Sequence, residues 1–362
     1  MASNKPVLQR APPQITGTWI DLRRWCTANN LGAPELVSLL PLPAYRIKTP
    51  DGFLLLEANS RTAFCNGLEL RLGFPLQIVA RQPFLHTLDL QKTLEPLLNR
   101  SRFDWPLSNP VIVIDPGHGG SDVGTRSAAG KRFEKEFTLD WATRVAALLS
   151  AQGWQVFLTR TNDADLSLSN RIAFADSHKA ALFLSLHFNS AGANVAESGL
   201  ETYCLTPPGM ASTVTRGFPD DTTAAFPNNS FDVQNLLFAA RVHRALLQAS
   251  GTHDRGVRRA RFLSVLRGQQ RPAILVEGGY LSNSREARLI AEPAYRQKLA
   301  LGVANALVRS LEIASSEPRT SQAGQDRENQ SPLVGGGSTA DLGQMRGVKL
   351  ADEPTVFSQA LP

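Results

Sequence analysis

The chain has 362 residues, of which 42% are hydrophobic and 19% charged, a composition typical of a globular protein. At roughly 150 residues per domain, this length accommodates two domains and terminal extensions. No stretch approaches the roughly 20 apolar residues of a membrane-spanning helix, which argues against an integral membrane segment. The net charge of +6 permits a polyanionic partner but identifies none, and no nucleic-acid partner is predicted.

The first part of the chain predicts a leader and a small domain. Residues 1–15 form a leader that lacks the charged-then-apolar pattern of a secretory signal. Residues 16–105 predict a small N-terminal α+β accessory domain, which contains no cluster of catalytic residue types. Its signals are a helix starting near Ile20, a hairpin with the turn Thr-Pro-Asp-Gly at residues 49–52, an alternating strand at residues 68–72 and a helix at residues 88–98.

Residues 108–313 alternate between strand and helix patterns. This alternation predicts an α/β domain with a mainly parallel or mixed central sheet and helices on both faces. The predicted strands are Val111–Ile114, Gln155–Leu158, Ala181–Leu186, Leu200–Leu205, Phe262–Leu266 and Ala273–Val276. The predicted helices include Glu134–Ala151, residues 232–249 and residues 294–312.

Two further segments have compositions that disfavour regular structure. The segment Thr206–Phe231 is rich in Pro, Thr, Asp and Asn, and its length predicts a functional or mobile loop. Residues 315–362 are rich in Ser, Gln, Gly and Pro and have little apolar surface to bury, which predicts a disordered tail.

The ends of three predicted strands carry the residue types of a metal hydrolase. His118 lies in the motif Asp-Pro-Gly-His-Gly-Gly directly after one strand, and His187 and Glu277 end two others. In open α/β sheets, ligands gather at the carboxyl ends of the strands. Zinc hydrolysis needs three nitrogen or oxygen ligands, an open position for water and a nearby carboxylate. Glu134, in the first turn of the next helix, can return a carboxylate to this edge, and Glu136 is its competitor.

Other interpretations of these residues remain open at this point. Two strand-end histidines can arise by chance, and a glutamate at a helix start can serve only the helix dipole. Glu277 could be a buried carboxylate paired with an arginine such as Arg171. A glycine-rich loop after a strand could cradle phosphate, but the loop lacks both Gly-Lys-Ser/Thr and Gly-x-Gly-x-x-Gly. The remaining histidines, predicted to lie on helix surfaces or in loops, are His86, His178, His243 and His253.

An ordered series of motifs extends over residues 110–312, more than half of the chain. The motifs are Asp-Pro-Gly-His-Gly-Gly at 115–120, Glu-Lys at 134–135, Arg171, Ser-Leu-His-Phe-Asn at 185–189, Glu-Thr-Tyr at 201–203, Arg-Gly-Val at 255–257 and Val-Glu-Gly-Gly-Tyr-Leu-Ser-Asn at 276–283. Together they resemble the zinc-dependent N-acetylmuramoyl-L-alanine amidases, the cell-wall amidases of the amidase-3 type. Because every motif occurs in order, the resemblance is far more specific than any one motif.

This resemblance implies a site and a reaction. Zinc would be held by His118, Glu134 and His187, with Glu277 as the catalytic carboxylate. A Glu-Lys pair opens the first helix in the family, which favours Glu134 over Glu136. The implied reaction is hydrolysis, in peptidoglycan, of the amide between the lactyl group of N-acetylmuramic acid and L-alanine. Glu277 would take a proton from the attacking water and return it to the leaving alanine nitrogen.

Neighbouring residues are expected to assist this site. Asn189 and Arg171 are expected to orient the substrate or Glu277, and a purely structural role is the alternative for both. Stem peptides carry free carboxylates, so the basic segment Arg255–Arg261 is expected at the rim of the cleft.

The resemblance also implies partners and a location. Peptidoglycan is the expected partner, an activator protein is a second candidate, and the cell envelope (periplasm or exterior) is the expected location, although no signal peptide is visible. The N-terminal domain is faintly similar to the amine-oxidase N-terminal-like modules of some envelope amidases, which implies wall targeting. Division-linked members carry a longer insertion whose helix blocks the zinc. The shorter segment at 206–231 lacks such a helix and predicts a loop that shapes the peptide cleft.

Two other functions are compatible with parts of this pattern. One is a zinc peptidase that acts on soluble peptides, and the other is a non-catalytic peptidoglycan-binding module. A non-catalytic module predicts the loss of a ligand or of Glu277, whereas all four positions are filled.

Overall fold

The computed structural model describes residues 18–99, 109–214 and 220–315. The strands are β1 (Trp19–Asp21), β2 (Glu35–Ser38), β3 (Ala44–Thr49), β4 (Gly52–Glu57), β5 (Thr62–Cys65), β6 (Leu68–Arg71), β7 (Gln77–Val79), β8 (Gln82–His86), β9 (Val111–Pro116), β10 (Gln155–Leu158), β11 (Leu182–Asn189), β12 (Leu200–Cys204), β13 (Asp254–Arg259) and β14 (Ala273–Tyr280). The helices are α1 (Leu22–Ala28), α2 (Thr87–Asp89), α3 (Glu95–Leu98), α4 (Glu134–Ala151), α5 (Leu168–Ser177), α6 (Asp232–Ser250), α7 (Ser264–Arg267), α8 (Ser284–Ala291) and α9 (Pro293–Ser315). Among the described residues, none of the helices combines the length and the apolar composition that crossing a membrane requires.

Eleven of these strands form one mixed sheet in the order β10-β9-β11-β14-β12-β13-β6-β5-β4-β3-β2. Strands β10, β9, β11 and β14 are parallel, whereas β12 runs antiparallel to β14. Parallel strands bring their carboxyl ends to one edge, so the ends of β9, β11 and β14 are neighbours. The predicted mixed central sheet with helices on both faces is confirmed.

The two faces of the sheet pack against different helices. Because successive residues of a strand point to opposite faces, β9 contributes to two clusters. Ile112 and Ile114 are buried in the larger cluster, with α4, α6 and α9. Val111 and Val113 are buried in the smaller cluster, with α5 and α7. Among the described helices, this second face is therefore covered by helices of ten and four residues.

The polar residues at the strand ends lie on the second face. Asp115, His187 and Glu277 each follow a side chain of the smaller cluster by an even number of residues, so all three point to the same side. The strand register places Glu277 beside His187 of β11 and beside Glu201 of β12. The strand pattern thereby collects polar groups at the carboxyl edge of the sheet, on the face that α5 and α7 cover.

The strands of the predicted N-terminal domain extend the central sheet. Leu70 of β6 pairs in parallel with Val257 of β13, and the Glu69 N–H donates to an Asp254 carboxylate oxygen at 3.0 Å. The predicted hairpin is confirmed as β3 and β4. The predicted helix at residues 88–98 is confirmed as α2 and α3, which a π-helical segment joins.

The predicted boundaries of the terminal segments are not described by the structure. The leader at 1–15 and the junction between residues 105 and 108 lie outside the described residues. The predicted tail at 315–362 lies outside them except for its first residue, which ends α9. The domain boundaries stay predictions.

The predicted strand Phe262–Leu266 is wrong. This part of the chain contains α7. The strand that pairs in parallel with β12 is instead β13, Asp254–Arg259. The sequence of β13, Asp-Arg-Gly-Val-Arg-Arg, has four charged residues, which disfavours a buried strand when the sequence is considered alone. The fold nevertheless buries Arg258 and Arg259 and nearly encloses Arg255, because acceptors from distant parts of the chain pair with these arginines.

The loop at residues 206–231 packs against the segment that follows β13. Arg261 donates to the carbonyl oxygens of Pro207 and Met210 at 2.8 and 2.9 Å, and the Met210 side chain is buried. In the described part of this loop the regular structure is a short 3-10 helix, Pro227–Phe231. An amphipathic helix is therefore absent from the described part of the loop, and residues 215–219 lie outside the described residues.

Candidate metal centre

Three of the predicted ligands meet at the carboxyl edge of the sheet. His118, Glu134 and His187 each offer a ligand atom, and these atoms lie within 4.8 Å of one another. Glu134 Oε1 lies 3.1 Å from His118 Nε2 and 3.1 Å from His187 Nδ1. All three side chains are buried. Glu136, the alternative ligand, is exposed and pairs with Arg132, so the structure places Glu134 and not Glu136 in this group.

Two glycines make room for the imidazole rings. A Cβ on Gly117 would lie 2.2 Å from His187 Cε1, and a Cβ on Gly124 would lie 2.7 Å from His118 Cδ2. Larger residues at either position would displace a ring. His118 itself has a φ of +62°, a backbone conformation that a non-glycine residue adopts only when its surroundings enforce it. The local backbone is therefore shaped around these two rings.

Contacts outside the group of three orient its members. Asp122 Oδ1 lies 2.8 Å from His118 Nδ1, which leaves His118 Nε2 directed at Glu134. The backbone N–H groups of Thr125 and Phe188 donate to the two oxygens of Glu134 at 2.9 and 3.0 Å. A carboxylate on the outer nitrogen of a ligating histidine is a usual feature of metal sites. Sequence reasoning missed Asp122, although an acid four residues after a histidine in a glycine-rich loop is a usable signal.

The electrostatics of the group fit a bound cation. Burial alone lowers the pKa of His118, but Glu134 and Asp122 reverse this effect and raise the pKa to about 10. Burial alone raises the pKa of Glu134, yet the two histidines hold it well below its ordinary value. The buried carboxylate thus requires positive charge beside it, supplied either by protons on the imidazoles or by a metal ion. Two imidazole nitrogens and one carboxylate oxygen are a donor set that suits a divalent transition metal.

Glu277 lies beside this group and has one unsatisfied oxygen. It is paired in the sheet with His187, and its Oε2 is buried with no hydrogen-bond partner among the described residues. Burial, together with the charges of Glu134 and Glu201, raises the pKa of Glu277 well above its ordinary value. A buried, unpaired carboxyl oxygen is rare in proteins and indicates a functional position.

The Arg171 side chain holds the His118 loop in place. Its guanidinium donates to Asp115 Oδ1 at 2.6 Å and to the carbonyl oxygens of Pro116, His118 and Leu166 at 3.0, 2.9 and 3.2 Å. It therefore pairs with Asp115 and is not the arginine partner of Glu277 that the sequence allowed. Its predicted contact with substrate stays a prediction.

Asn189 and the basic segment contact Glu201, a fully buried residue to which the sequence reasoning assigned no role. The Glu201 carboxylate accepts from Asn189 Nδ2 at 3.0 Å and Arg255 Nε at 2.7 Å, and Arg258 lies 3.4 Å away. Burial alone raises the pKa of Glu201, but Arg258 and Arg255 lower it to about 2. The tyrosine hydroxyls that also donate to it belong to Tyr203 and Tyr280.

The expectation that Arg255–Arg261 lines the cleft rim is therefore wrong for most of its charges. Arg258, Arg259 and Arg261 are buried, and Arg255 is almost enclosed between Glu197 and Glu201. The guanidinium groups of Arg255 and Arg258 contact Glu201 at the junction of β12 and β13. That of Arg261 donates to backbone carbonyls of the loop at 206–231. Sequence spacing could not reveal this, because Glu201 lies 54 residues before Arg255.

Comparisons with known proteins identify the family of the chain. Residues 112–309 match the Amidase_3 family model, described as N-acetylmuramoyl-L-alanine amidase. N-acetylmuramoyl-L-alanine amidase CwlM of Bacillus licheniformis is 33% identical over 207 residues, which cover 57% of this chain and 70% of that protein. N-acetylmuramoyl-L-alanine amidase AmiA of Salmonella typhimurium is 30% identical over 221 residues, covering 56% and 76%. The catalytic domain of the amidase CwlV from Bacillus (Paenibacillus) polymyxa superposes with a TM-score of 0.47 at 31% identity, covering 56% of this chain and 98% of that domain. The family match spans more than half of the chain, and the chain belongs to the N-acetylmuramoyl-L-alanine amidase family.

Proposed function

We propose that this protein is a zinc-dependent N-acetylmuramoyl-L-alanine amidase. Its reaction is hydrolysis, in peptidoglycan, of the amide between the lactyl group of N-acetylmuramic acid and the first L-alanine of the stem peptide. The observation that carries the proposal is the buried group of His118, Glu134 and His187 beside the unpaired carboxyl oxygen of Glu277. Family membership supports the choice of substrate.

The three-residue group would hold the zinc ion. His118, Glu134 and His187 would each supply one ligand atom, a set of the type found in zinc sites that keep a position open for water. Zinc bound there supplies Lewis acidity, which makes water more acidic and stabilises negative charge on a carbonyl oxygen. Asp122 fixes the His118 ring, and the N–H groups of Thr125 and Phe188 fix the Glu134 carboxylate.

Glu277 would transfer the proton. As the carboxylate, it removes a proton from the water that attacks the lactyl carbonyl carbon. When the carbon–nitrogen bond breaks, the same residue donates that proton to the alanine nitrogen, which leaves as an amine. A raised pKa suits this double role, because a carboxyl group with a high pKa is a stronger base and retains the proton until the nitrogen takes it.

Arg171 and Asn189 would act by positioning other groups. Arg171 donates to the His118 carbonyl oxygen, so it holds the loop that carries one ligand. Asn189 donates to Glu201, which is paired with Glu277 in the sheet. Through these contacts the two residues set the positions of a ligand and of the proton-transfer group.

A digest of purified peptidoglycan tests the proposal. The zinc-loaded protein should release intact stem peptides with a new L-alanine amino terminus, as identified by mass spectrometry, and a chelator should stop the release. Cleavage of soluble peptides without cleavage of peptidoglycan would instead establish the peptidase function. Binding to peptidoglycan without any release by the zinc-loaded protein would contradict an autonomous amidase. We further propose that the protein acts in the cell envelope, where this substrate lies.

A further inference from the structure

A cavity of about 500 Å3 opens beside the metal centre, on the sheet face that α5 and α7 cover. His118 and His187 are among its lining residues. Other parts of the lining are the segment 115–122 around His118, the first turn of α5 with the residues before it, and the segment 262–265. This volume is within the range of pockets that bind small ligands. Because the cavity reaches two of the proposed metal ligands, one half of a substrate whose scissile bond lies at the metal centre can occupy it.

The cavity wall combines apolar side chains with hydroxyl groups. Leu166, Leu168 and Phe262 are half-buried and line it. The lining also includes the hydroxyl-bearing Ser167, Ser169 and Ser264. Apolar and aromatic surface with a few placed polar groups is the usual composition of sites for uncharged ligands. A pyranose ring presents both kinds of surface, with carbon–hydrogen faces and hydroxyl edges.

The charges of the cavity disfavour an anionic ligand. Arg171 is the only lysine or arginine among its described lining residues, and its guanidinium donates to Asp115 and to backbone carbonyls. Asp165 also lines the cavity, where it accepts from the N–H and hydroxyl of Ser121. These hydrogen bonds hold the pKa of Asp165 below its ordinary value, so it is ionised at neutral pH. Away from the metal centre, a carboxylate entering the cavity would meet a like charge and no available lysine or arginine among the described lining residues.

A loop next to the metal centre carries exposed basic side chains. The loop at residues 125–133 leads into α4, which packs on the other face of the sheet. Its Thr125 N–H contacts Glu134, and its Ala128 N–H donates to Leu281 at 2.9 Å. Arg126 and Lys131 are exposed on this loop. These exposed cations offer complementary charge to an anionic ligand group that crosses the loop.

From these observations we propose that the cavity is the binding site for the uncharged N-acetylmuramoyl half of the substrate. The anionic stem peptide then leaves the metal centre across the loop at 125–133. This assignment rests on the proposed amidase function, because it presupposes that the scissile amide lies at the metal centre. The uncharged sugar half matches the cavity, which has no available lysine or arginine among its described lining residues. The anionic stem peptide matches the loop that carries Arg126 and Lys131.

Two substrates with the same scissile amide test the assignment. One is N-acetylmuramoyl-L-alanyl-D-isoglutamine, and the other is D-lactoyl-L-alanyl-D-isoglutamine, which lacks the sugar. The zinc-loaded wild-type protein should hydrolyse the sugar-bearing substrate with the higher kcat/KM. Ser169→Trp places a large ring on an exposed position of the lining. It should lower kcat/KM for the sugar-bearing substrate about tenfold more than for the lactoyl peptide, a factor equal to about 1.4 kcal/mol.

The matched control is Ser177→Trp, which makes the same change at the exposed far end of the same helix. It should leave the ratio of the two kcat/KM values at the wild-type value. A second readout is calorimetric binding of the sugar-bearing substrate to the Glu277→Gln variant. The double variant Glu277→Gln/Ser169→Trp should bind this substrate more weakly than Glu277→Gln alone. Equal kcat/KM for both substrates in the wild type, or equal loss for both in Ser169→Trp, would overturn the assignment while the amidase function stands. If the wild-type protein cleaves neither compound nor peptidoglycan, the proposed function itself fails.

Discussion

The β12–β13 junction and the metal centre both bury charged side chains, but they balance those charges differently. At the junction, the Glu201 carboxylate is in contact with two arginines, an asparagine and two tyrosines. Nearby, fully buried His243 bridges Thr202 Oγ1 and Asp254 Oδ1, each at 2.9 Å. Every one of these groups has its partner within the protein, which is the usual condition of buried polar groups.

At the metal centre, the buried groups lack such an internal balance. His118 and His187 both approach the same oxygen of Glu134, and one oxygen of Glu277 has no partner among the described residues. Burial and charge alone therefore do not distinguish a functional site in this protein. The distinguishing property is the convergence of two imidazoles on one carboxylate oxygen, beside a carboxyl oxygen that has no partner among the described residues.

The largest expected effect follows from removing a ligand at the centre. Glu134→Gln should lower metal affinity by more than about 100-fold, because even contacts that only orient a ligand contribute about 10–100-fold. Turnover should fall to that of the metal-stripped protein. Metal content after gel filtration and kcat on peptidoglycan are the measurements.

Glu136→Gln is the matched control for this change. Glu136 is exposed and accepts from the Phe133 N–H at the start of α4. Its substitution should cost about 1 kcal/mol of stability or less and should preserve the bound metal. Equal loss of metal in the two variants would contradict the assignment of Glu134 as the ligand.

Glu277→Gln should separate proton transfer from metal binding. Gln has nearly the same shape but cannot accept and return a proton, so kcat should fall about 10²–10⁴-fold. Metal content should match the wild type, because Glu277 is not in the group of three. Loss of the metal in this variant would instead identify Glu277 as a ligand.

Sequence alone predicts the parts of the site that follow strand ends. His118, His187 and Glu277 each end an apolar run, and a parallel sheet must bring those ends together. Glu134 required the family resemblance, since Glu136 has the same chemistry two residues later. Geometry then distinguishes them, because only Glu134 is buried against the histidines.

The β12–β13 junction was much less predictable. The arginines of β13 suggest a solvated loop, and His243 suggests a helix surface, because their partners lie far away in sequence. Thr202 precedes His243 by 41 residues. Strand β6 precedes its partner β13 by more than 180 residues. A strand whose burial depends on such pairing has no apolar pattern of its own.

A smaller effect on the centre is expected from Asp122→Asn. This change removes the negative charge beside His118 Nδ1 and should weaken metal affinity about 10–100-fold, with the three ligands still present. Competition with a chelator of known affinity measures the change. Asp163→Asn is the control, because Asp163 contacts the neighbouring backbone at Gly120 but no ligand, and it should retain wild-type affinity. Wild-type affinity in Asp122→Asn would show that the His118 ring needs no outer carboxylate.

The smallest expected effect tests the other side of the comparison, the claim that the β12–β13 junction is structural. His243→Leu removes the partner of the buried Thr202 hydroxyl and one of the contacts of the partly buried Asp254, which should cost about 1–3 kcal/mol of unfolding free energy. His253→Leu, at an exposed position ten residues later, should change stability by no more than about 0.5 kcal/mol. Denaturant unfolding measures both variants, and kcat per folded, metal-loaded molecule should match the wild type in each. A loss of kcat in His243→Leu without a loss of stability would mean that this junction takes part in the reaction. Internal pairing of buried charges would then no longer distinguish a structural cluster from a functional one in this protein.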